Sequence, residues 1–209
     1  MAAKSAEVTI PAIKIQQFSL RIVGDSSLIV HKWSEKAKKE MLDKQMKVAK
    51  TVGHEVRNPV ADFITSLYWL TEQPKEMTEE AFETAISNGA KFGFPAVAFK
   101  AAAVAAGYRS GVTKDKVSTN AAFHIIGDMA EVKGTPVMRE DMVKIGMGTA
   151  DLRYRGEFKQ WSTVLNIRYN EAVLSAEQII NLFNLGGFAC GVGEWRIEKG
   201  GSYGAFHVE

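Results

Sequence analysis

Residues 161–169 alternate: Trp161, Thr163, Leu165, Ile167 and Tyr169 share one parity, and Ser162, Val164, Asn166 and Arg168 share the other. A period of two buries one side only in an extended strand, so this segment commits the chain to a β-sheet with a core on one face. The next segment narrows the topology. Ser175 and Gln178 have the spacing of a capping box, and Ile179, Ile180, Leu182 and Phe183 give the helix behind it an apolar side. Gly186-Gly187 predicts the helix stop, a glycine-rich run comes after it, and residues 205–208 read as a closing strand.

The front of the chain has the same ingredients. Within residues 12–30, Phe18, Leu20 and Ile22 alternate with Gln17, Ser19 and Arg21, until Gly24-Asp25-Ser26-Ser27 breaks the strand ahead of Leu28-Ile29-Val30. Ser34 predicts the cap of a helix over 34–50, with Ala37, Met41 and Val48 on one side and lysines on the other. Gly53 and Pro59 punctuate a loop. Residues 60–116 then read as short helices: 61–70, a second capped by Thr78 and stopped by Gly89, and a third over 96–106 opened by Pro95 and ended by Gly107. Segments 122–132 and 142–147 are β-rich. Strand–helix in front and strand–strand–helix–strand behind predict an α+β fold. We expect a ferredoxin-like, RRM-like antiparallel sheet in one domain over 1–209, with a helical insertion at about 51–116.

Composition closes off several classes. Apolar residues make up 46% and charged residues 24%, which excludes wholesale disorder. The longest weakly polar stretch, 92–107, contains Lys100 and falls short of the ~20 residues that a membrane span needs. Residues 1–11 carry no apolar signal core, and Cys190 is the single cysteine, so a reducing cytoplasm is expected and no membrane partner. With a net charge of +2, a role with nucleic acid must rest on a local basic face.

Three features offer such a face. Gly186, Gly187, Gly191, Gly193, Gly200, Gly201 and Gly204 crowd 7 of the 18 glycines into 19 residues, interleaved with Trp195, Arg196, Lys199 and Tyr203. Backbone that approaches closely, cations and stacking rings suit a sugar-phosphate chain. The basic helix is the second, with Lys36, Lys38, Lys39, Lys44, Lys47 and Lys50 against Glu35, Glu40 and Asp43, directly after His31-Lys32-Trp33. The third is a pair of strand arginines: Arg153 and Arg155 share a parity, and Arg168 lies on the polar parity of the next strand. If all three point from one open sheet face they form a phosphate-reading stripe. Signatures of catalysis are thin. His31, His54, His124 and His207 show no metal-ligand spacing, so no metal or cofactor is expected, and Cys190 sits among apolar and glycine neighbours. His31, beside Lys32 and ahead of a helix, is the one candidate general base.

Phe94-Pro95-Ala96-Val97-Ala98-Phe99-Lys100-Ala101-Ala102-Ala103 resembles the helix-start motif of the RAMP superfamily of CRISPR-associated proteins, and the glycine run 186–204 resembles the glycine-rich loop before their last strand. The whole sequence also resembles proteins encoded by bacteriophages, for which the compartment would be the bacterial host cytoplasm. The resemblance implies an RRM-related fold, RNA binding by backbone-forming or end-capping members and RNA cleavage by a processing subset, with Lys100 as the motif lysine and Gly186, Gly187, Gly191 and Gly193 as loop glycines. It also implies self-association along the strand, as a homo-oligomer or filament within a larger nucleoprotein assembly. The leading expectation is therefore a non-catalytic protein binding single-stranded RNA or DNA. The strand would lie across the sheet, with Arg153, Arg155 and Arg168 on phosphates, Lys36, Lys39, Arg196 and Lys199 nearby, and Trp195 or Tyr203 stacking on bases. The alternatives are a metal-independent endoribonuclease using His31, and a phage factor that mimics a RAMP subunit to inhibit a host defence complex.

Overall fold

The alternating segments pair as their parity demands. The structure is a computed structural model, and it describes residues 12–33, 35–47, 56–145 and 148–209. In chain order the elements are β1 (Ile15–Gly24), β2 (Leu28–Val30), α1 (Glu35–Gln45), α2 (Pro59–Ser66), α3 (Glu79–Ser87), β3 (Phe92–Pro95), α4 (Ala96–Arg109), α5 (Lys116–Ala122), β4 (Phe123–Ile125), β5 (Met129–Lys133), β6 (Pro136–Ile145), β7 (Thr149–Phe158), β8 (Ser162–Asn170), α6 (Ala176–Ala189) and β9 (Phe206–Val208), with a 3-10 turn at Ile197–Lys199.

A large sheet runs β3-β5-β8-β1-β9, with β4 also on β8, and every pairing is antiparallel. Register on β1 and β8 is fixed by Leu20↔Leu165 and Ile22↔Thr163, which put the apolar parity of both strands on one side. There α4 and α6 cover it, and Leu20, Ile22, Leu165, Ile167, Phe99, Phe123, Phe183 and Phe206 form the core. Phe99 meets the rings of Phe94, Trp161 and Phe206 at centroid distances of 6.0, 6.2 and 5.6 Å. Order β9-β1-β8-β4/β5 with two helices on one face is the ferredoxin-like α+β arrangement expected from the alternation.

The crossover helix from β1 is α4. Residues 96–106, read from sequence as the last piece of an insertion, instead pack on α6 in the core, whereas the lysine-rich α1 lies off the sheet. Polarity explains the exchange: α4 carries only Lys100 and Arg109 as charges and can be buried on several sides, whereas α1 cannot. Between β1 and α4 the chain builds β2, α1, α2, α3 and β3. β2 leaves the large sheet and joins the long β6–β7 hairpin in a second antiparallel sheet, β2-β7-β6.

Two expected helix stops are interior positions. Gly107 is buried within α4 because a Cβ there would meet Leu182 at 2.6 Å; Gly186 lies within α6, where a Cβ would meet the Ala103 amide nitrogen at 2.7 Å. These glycines set how closely two helices approach. Caps fared differently. Thr78 accepts from the Ala81 amide, Gly89 follows α3 at φ 80°, and Ser175 with Gln178 forms a full capping box. Pro59 opens α2 as its first residue, with Asn58 as the cap. The part of helix 34–50 at Ser34 and 48–50, including Val48, lies outside the described residues, as does His54.

Candidate nucleic-acid interface

The end of β2 carries His31 to the surface. Val30 pairs with Gly156, so His31 leaves on the same face as Arg155. The glycine-rich loop closes over this point, because the Glu194 amide donates to the Ile29 carbonyl at 2.9 Å. Gly193 must be glycine there: its φ is 83° and a Cβ would meet the Ile29 carbonyl oxygen at 2.5 Å. Opposite stands α4, whose Ala98, Ala101, Ala102 and Ala105 make a low wall. The result is a groove of about 400 Å³, with Ile29, Phe94 and those alanines as apolar floor and His31, Tyr68, Glu194, Arg196 and Glu198 as polar rim.

The loop is a packed knot of backbone and not a slack hairpin. Trp195 is held at φ 52°, a conformation that bulky residues rarely adopt, and the residue is 46% exposed. The Trp195 carbonyl accepts from the Tyr203 amide at 3.2 Å, Arg196 bridges to Tyr203, and Gly201 abuts Trp195 with no space for a side chain.

Carboxylates hold many of the cations in place. Arg196 donates from Nε to Glu198 at 2.9 Å, and Arg109 from Nη2 to the same carboxylate at 2.5 Å. Burial opposes ionisation of Glu198, but those two guanidiniums outweigh it and hold its carboxyl below the ordinary value. Arg139 stacks on the Tyr203 ring at 4.8 Å and binds Asp141 at 2.9 Å. Burial, with the Arg155 guanidinium adding to it, pushes the His31 imidazole below its usual value, and Glu194 opposes this without prevailing. Burial, and then Glu194, raise the Tyr68 hydroxyl.

The structure divides the residues singled out from sequence. Gly191, Gly193 and Arg196 line the groove, whereas Trp195, Lys199 and Tyr203 stand on the same loop outside its lining. The expected stripe of Arg153, Arg155 and Arg168 does not form, because the first two stand on the β2-β7-β6 sheet and Arg168 on the other. Arg155 is 3% exposed and turned to Asp141 at 3.3 Å; its Nε has no partner among the described residues. Arg153 is half-buried, 3.5 Å from Asp151. Arg168 is exposed on the open face of the large sheet, across from Gln17 and His124. That face presents Gln17, Ser19, Arg21, Val164 and Asn166 from β1 and β8, with the imidazoles of His124 and His207 on its flanking strands and no Phe, Tyr or Trp from β1 or β8. Lys100 is occupied within the fold, donating to the Asn120 carbonyl at 2.8 Å above the Phe123 ring, and burial lowers its ammonium. Lys39 is exposed on α1, and the side chain of Lys36 lies outside the described residues. Sequence reasoning passed over Tyr68, Arg109, Arg139, Glu194 and Glu198. Among the described residues no three His, Cys, Asp or Glu gather as metal ligands, and no helix is long and apolar enough to cross a membrane.

No family model and no curated protein matches the chain. Among solved structures it is similar to one described as the crystal structure of Cmr6 from Pyrococcus furiosus, at 12% identity and a TM-score of 0.36, over 95% of this chain and 100% of that one. At that level the likeness carries no argument about function.

Proposed function

We propose that the protein binds single-stranded RNA or DNA, without cutting it, along the groove beside the glycine-rich loop. The observation that carries this reading is Trp195. A large aromatic residue, kept half-exposed on a left-handed backbone at φ 52°, sits in the chain between Glu194 and Arg196, both of which line the groove. Strain of this kind costs about 1–3 kcal/mol and persists only where the surroundings impose it. Folding alone gains little from exposing an indole, whereas a stacking platform for bases gains about 1–3 kcal/mol per base. Lys199 and Arg153 supply phosphate contacts at its edges, and the amides of the loop add donors. In this reading successive copies line one strand.

Titration of a labelled oligonucleotide tests it. Affinity falls as salt rises, because each neutralised phosphate releases counterions. An affinity independent of salt, or no binding to RNA or DNA, sinks the reading.

One observation favours a second reading, cleavage of RNA. His31 lines the groove beside Glu194, and burial lowers its pKa, which favours the neutral imidazole that a general base needs. Labelled RNA incubated with EDTA separates the two: cleavage lost in His31→Ala supports a nuclease, and intact RNA removes it.

A further inference from the structure

Two surfaces away from the groove are incomplete in a single copy. α1 and the turn that follows it project Met41, Leu42 and Met46 into solvent at 45, 53 and 66% exposure, and Trp33 just before the helix is exposed as well. Leu42 and Met46 are one turn apart and share a side, and Met41 lies about 100° round the axis at the edge of that side. Among the described residues, α1 has no packing partner comparable to the α4–α6 pair. A helix in this state leaves its apolar side in water, and the usual remedy is a partner.

The complement is on the same chain. α2, α3 and the start of β6 enclose a groove of about 550 Å³. Phe63, Phe82, Ile86, Val137 and Met138 form its floor, and Phe63 and Phe82 meet edge-on at 4.9 Å. Glu79 and Glu83 rim it, with no lysine or arginine in the lining, and neither has an ion-pair partner among the described residues. α1 has a small positive excess, four lysines against Glu35, Glu40 and Asp43, and Lys38 and Lys39 precede Leu42 by one turn. Lys38 already holds Glu35 at 2.6 Å, but an exposed pair of this kind is weak and easily exchanged. In its own copy α1 does not enter the groove, whose whole lining comes from α2, α3 and β6 and the turn before it.

We infer that α1 of one copy docks in the α2–α3–β6 groove of another, with Met41, Leu42 and Met46 on the apolar floor and its lysines against Glu79 and Glu83. The two surfaces differ, so each copy offers one of each, and a contact of this kind propagates unless its geometry closes. This deepens the self-association in the proposed function and rests on that reading only for its purpose, since the contact itself needs no nucleic acid.

Sedimentation velocity on the full chain without nucleic acid tests it. The wild type is expected to associate in the micromolar range. Leu42→Glu on the helix and Met138→Glu on the groove, both at exposed positions, each weaken association about tenfold or more. Mixed together they form a heteromeric pair, because each supplies the surface that the other lacks. Lys38→Glu with Lys39→Glu weakens self-association, as does Glu79→Lys with Glu83→Lys, and all four substitutions combined in one chain restore it. A monomeric wild type, or single variants that associate as wild type does, overturns the inference. So does a disulfide between Leu42→Cys and Ile86→Cys that closes within one chain. Oligonucleotide binding by the monomeric Leu42→Glu variant is measured separately, so loss of the assembly and loss of the nucleic-acid reading are told apart.

Discussion

Gly201 lies against the Trp195 carbonyl so closely that no side chain fits between them. That contact, with the Tyr203 amide donating to the same carbonyl at 3.2 Å, holds Trp195 in its left-handed conformation. The glycine-rich loop therefore acts as a rigid mount for one ring.

Gly201→Ala must push the loop apart. Overpacking against backbone costs about 1–3 kcal/mol, so the urea midpoint falls and the emission of Trp195 shifts as its ring moves. Gly200 is the control. Its φ is 79° but a Cβ there meets nothing within 4 Å, so Gly200→Ala carries only the left-handed penalty, about 1–2 kcal/mol. Equal spectra for the two variants, with equal midpoints, would show that the contact does not position the ring.

Trp195→Gly separates function from stability. Glycine adopts φ 52° without strain, so the variant unfolds at the same or a higher denaturant concentration. Oligonucleotide affinity drops by about 1–3 kcal/mol, roughly 5- to 150-fold, with the lost stacking. A variant that binds as wild type does removes Trp195 from the interface.

How far the sequence foretold this differs between fold and site. Parity on β1 and β8 and the caps at Thr78 and Ser175 were legible because each is a local rule. Gly107 and Gly186 misled because a glycine that ends a helix and one that lets another backbone approach look alike in sequence. The difference lies in Leu182 and Ala103, far along the chain. The site was half legible. Composition pointed to the loop that holds Trp195, but Glu198 meets Arg109 across 89 positions, and Arg139 reaches Tyr203 from another sheet. No spacing rule encodes such meetings. The parity of Arg153 and Arg155 was read correctly, but parity does not say which of two sheets a strand joins.

His31 makes stability depend on pH in a stated direction. Burial and then Arg155 hold its folded pKa below the unfolded value of about 6.5, so around that pH the unfolded chain binds more protons. Its contribution is present above pH ~6.5 and is lost as the pH falls through the unfolded value toward the folded one. His31→Gln removes this component. Between pH 7.5 and 5.5, a span about the unfolded value, the fall in urea midpoint should be smaller in the variant than in wild type. Identical falls would mean that the imidazole is not held neutral by its surroundings.

Arg153 and Arg155 are neighbours of the same type on one strand, and the structure assigns them opposite consequences. Arg155 is 3% exposed and paired with Asp141. Removing one partner of a buried pair leaves the other uncompensated, but Arg139 stays 2.9 Å from Asp141 and softens the loss. Arg155→Met should therefore cost about 2–3 kcal/mol of stability, below the 3–5 kcal/mol of a fully orphaned charge, and leave the salt dependence of binding unchanged. Arg153 is half-buried and 3.5 Å from Asp151, which also accepts from Arg57 at 2.9 Å. Arg153→Gln leaves that carboxylate satisfied, so stability moves by less than about 0.5 kcal/mol. If Arg153 meets a phosphate, the slope of log affinity against log salt becomes shallower by about one unit, equally for every sequence tested. Arg168→Gln, on the other sheet, leaves the slope alone. The reverse result, a slope that responds to Arg168 and not to Arg153, would move the nucleic acid from the groove to the open face of the large sheet.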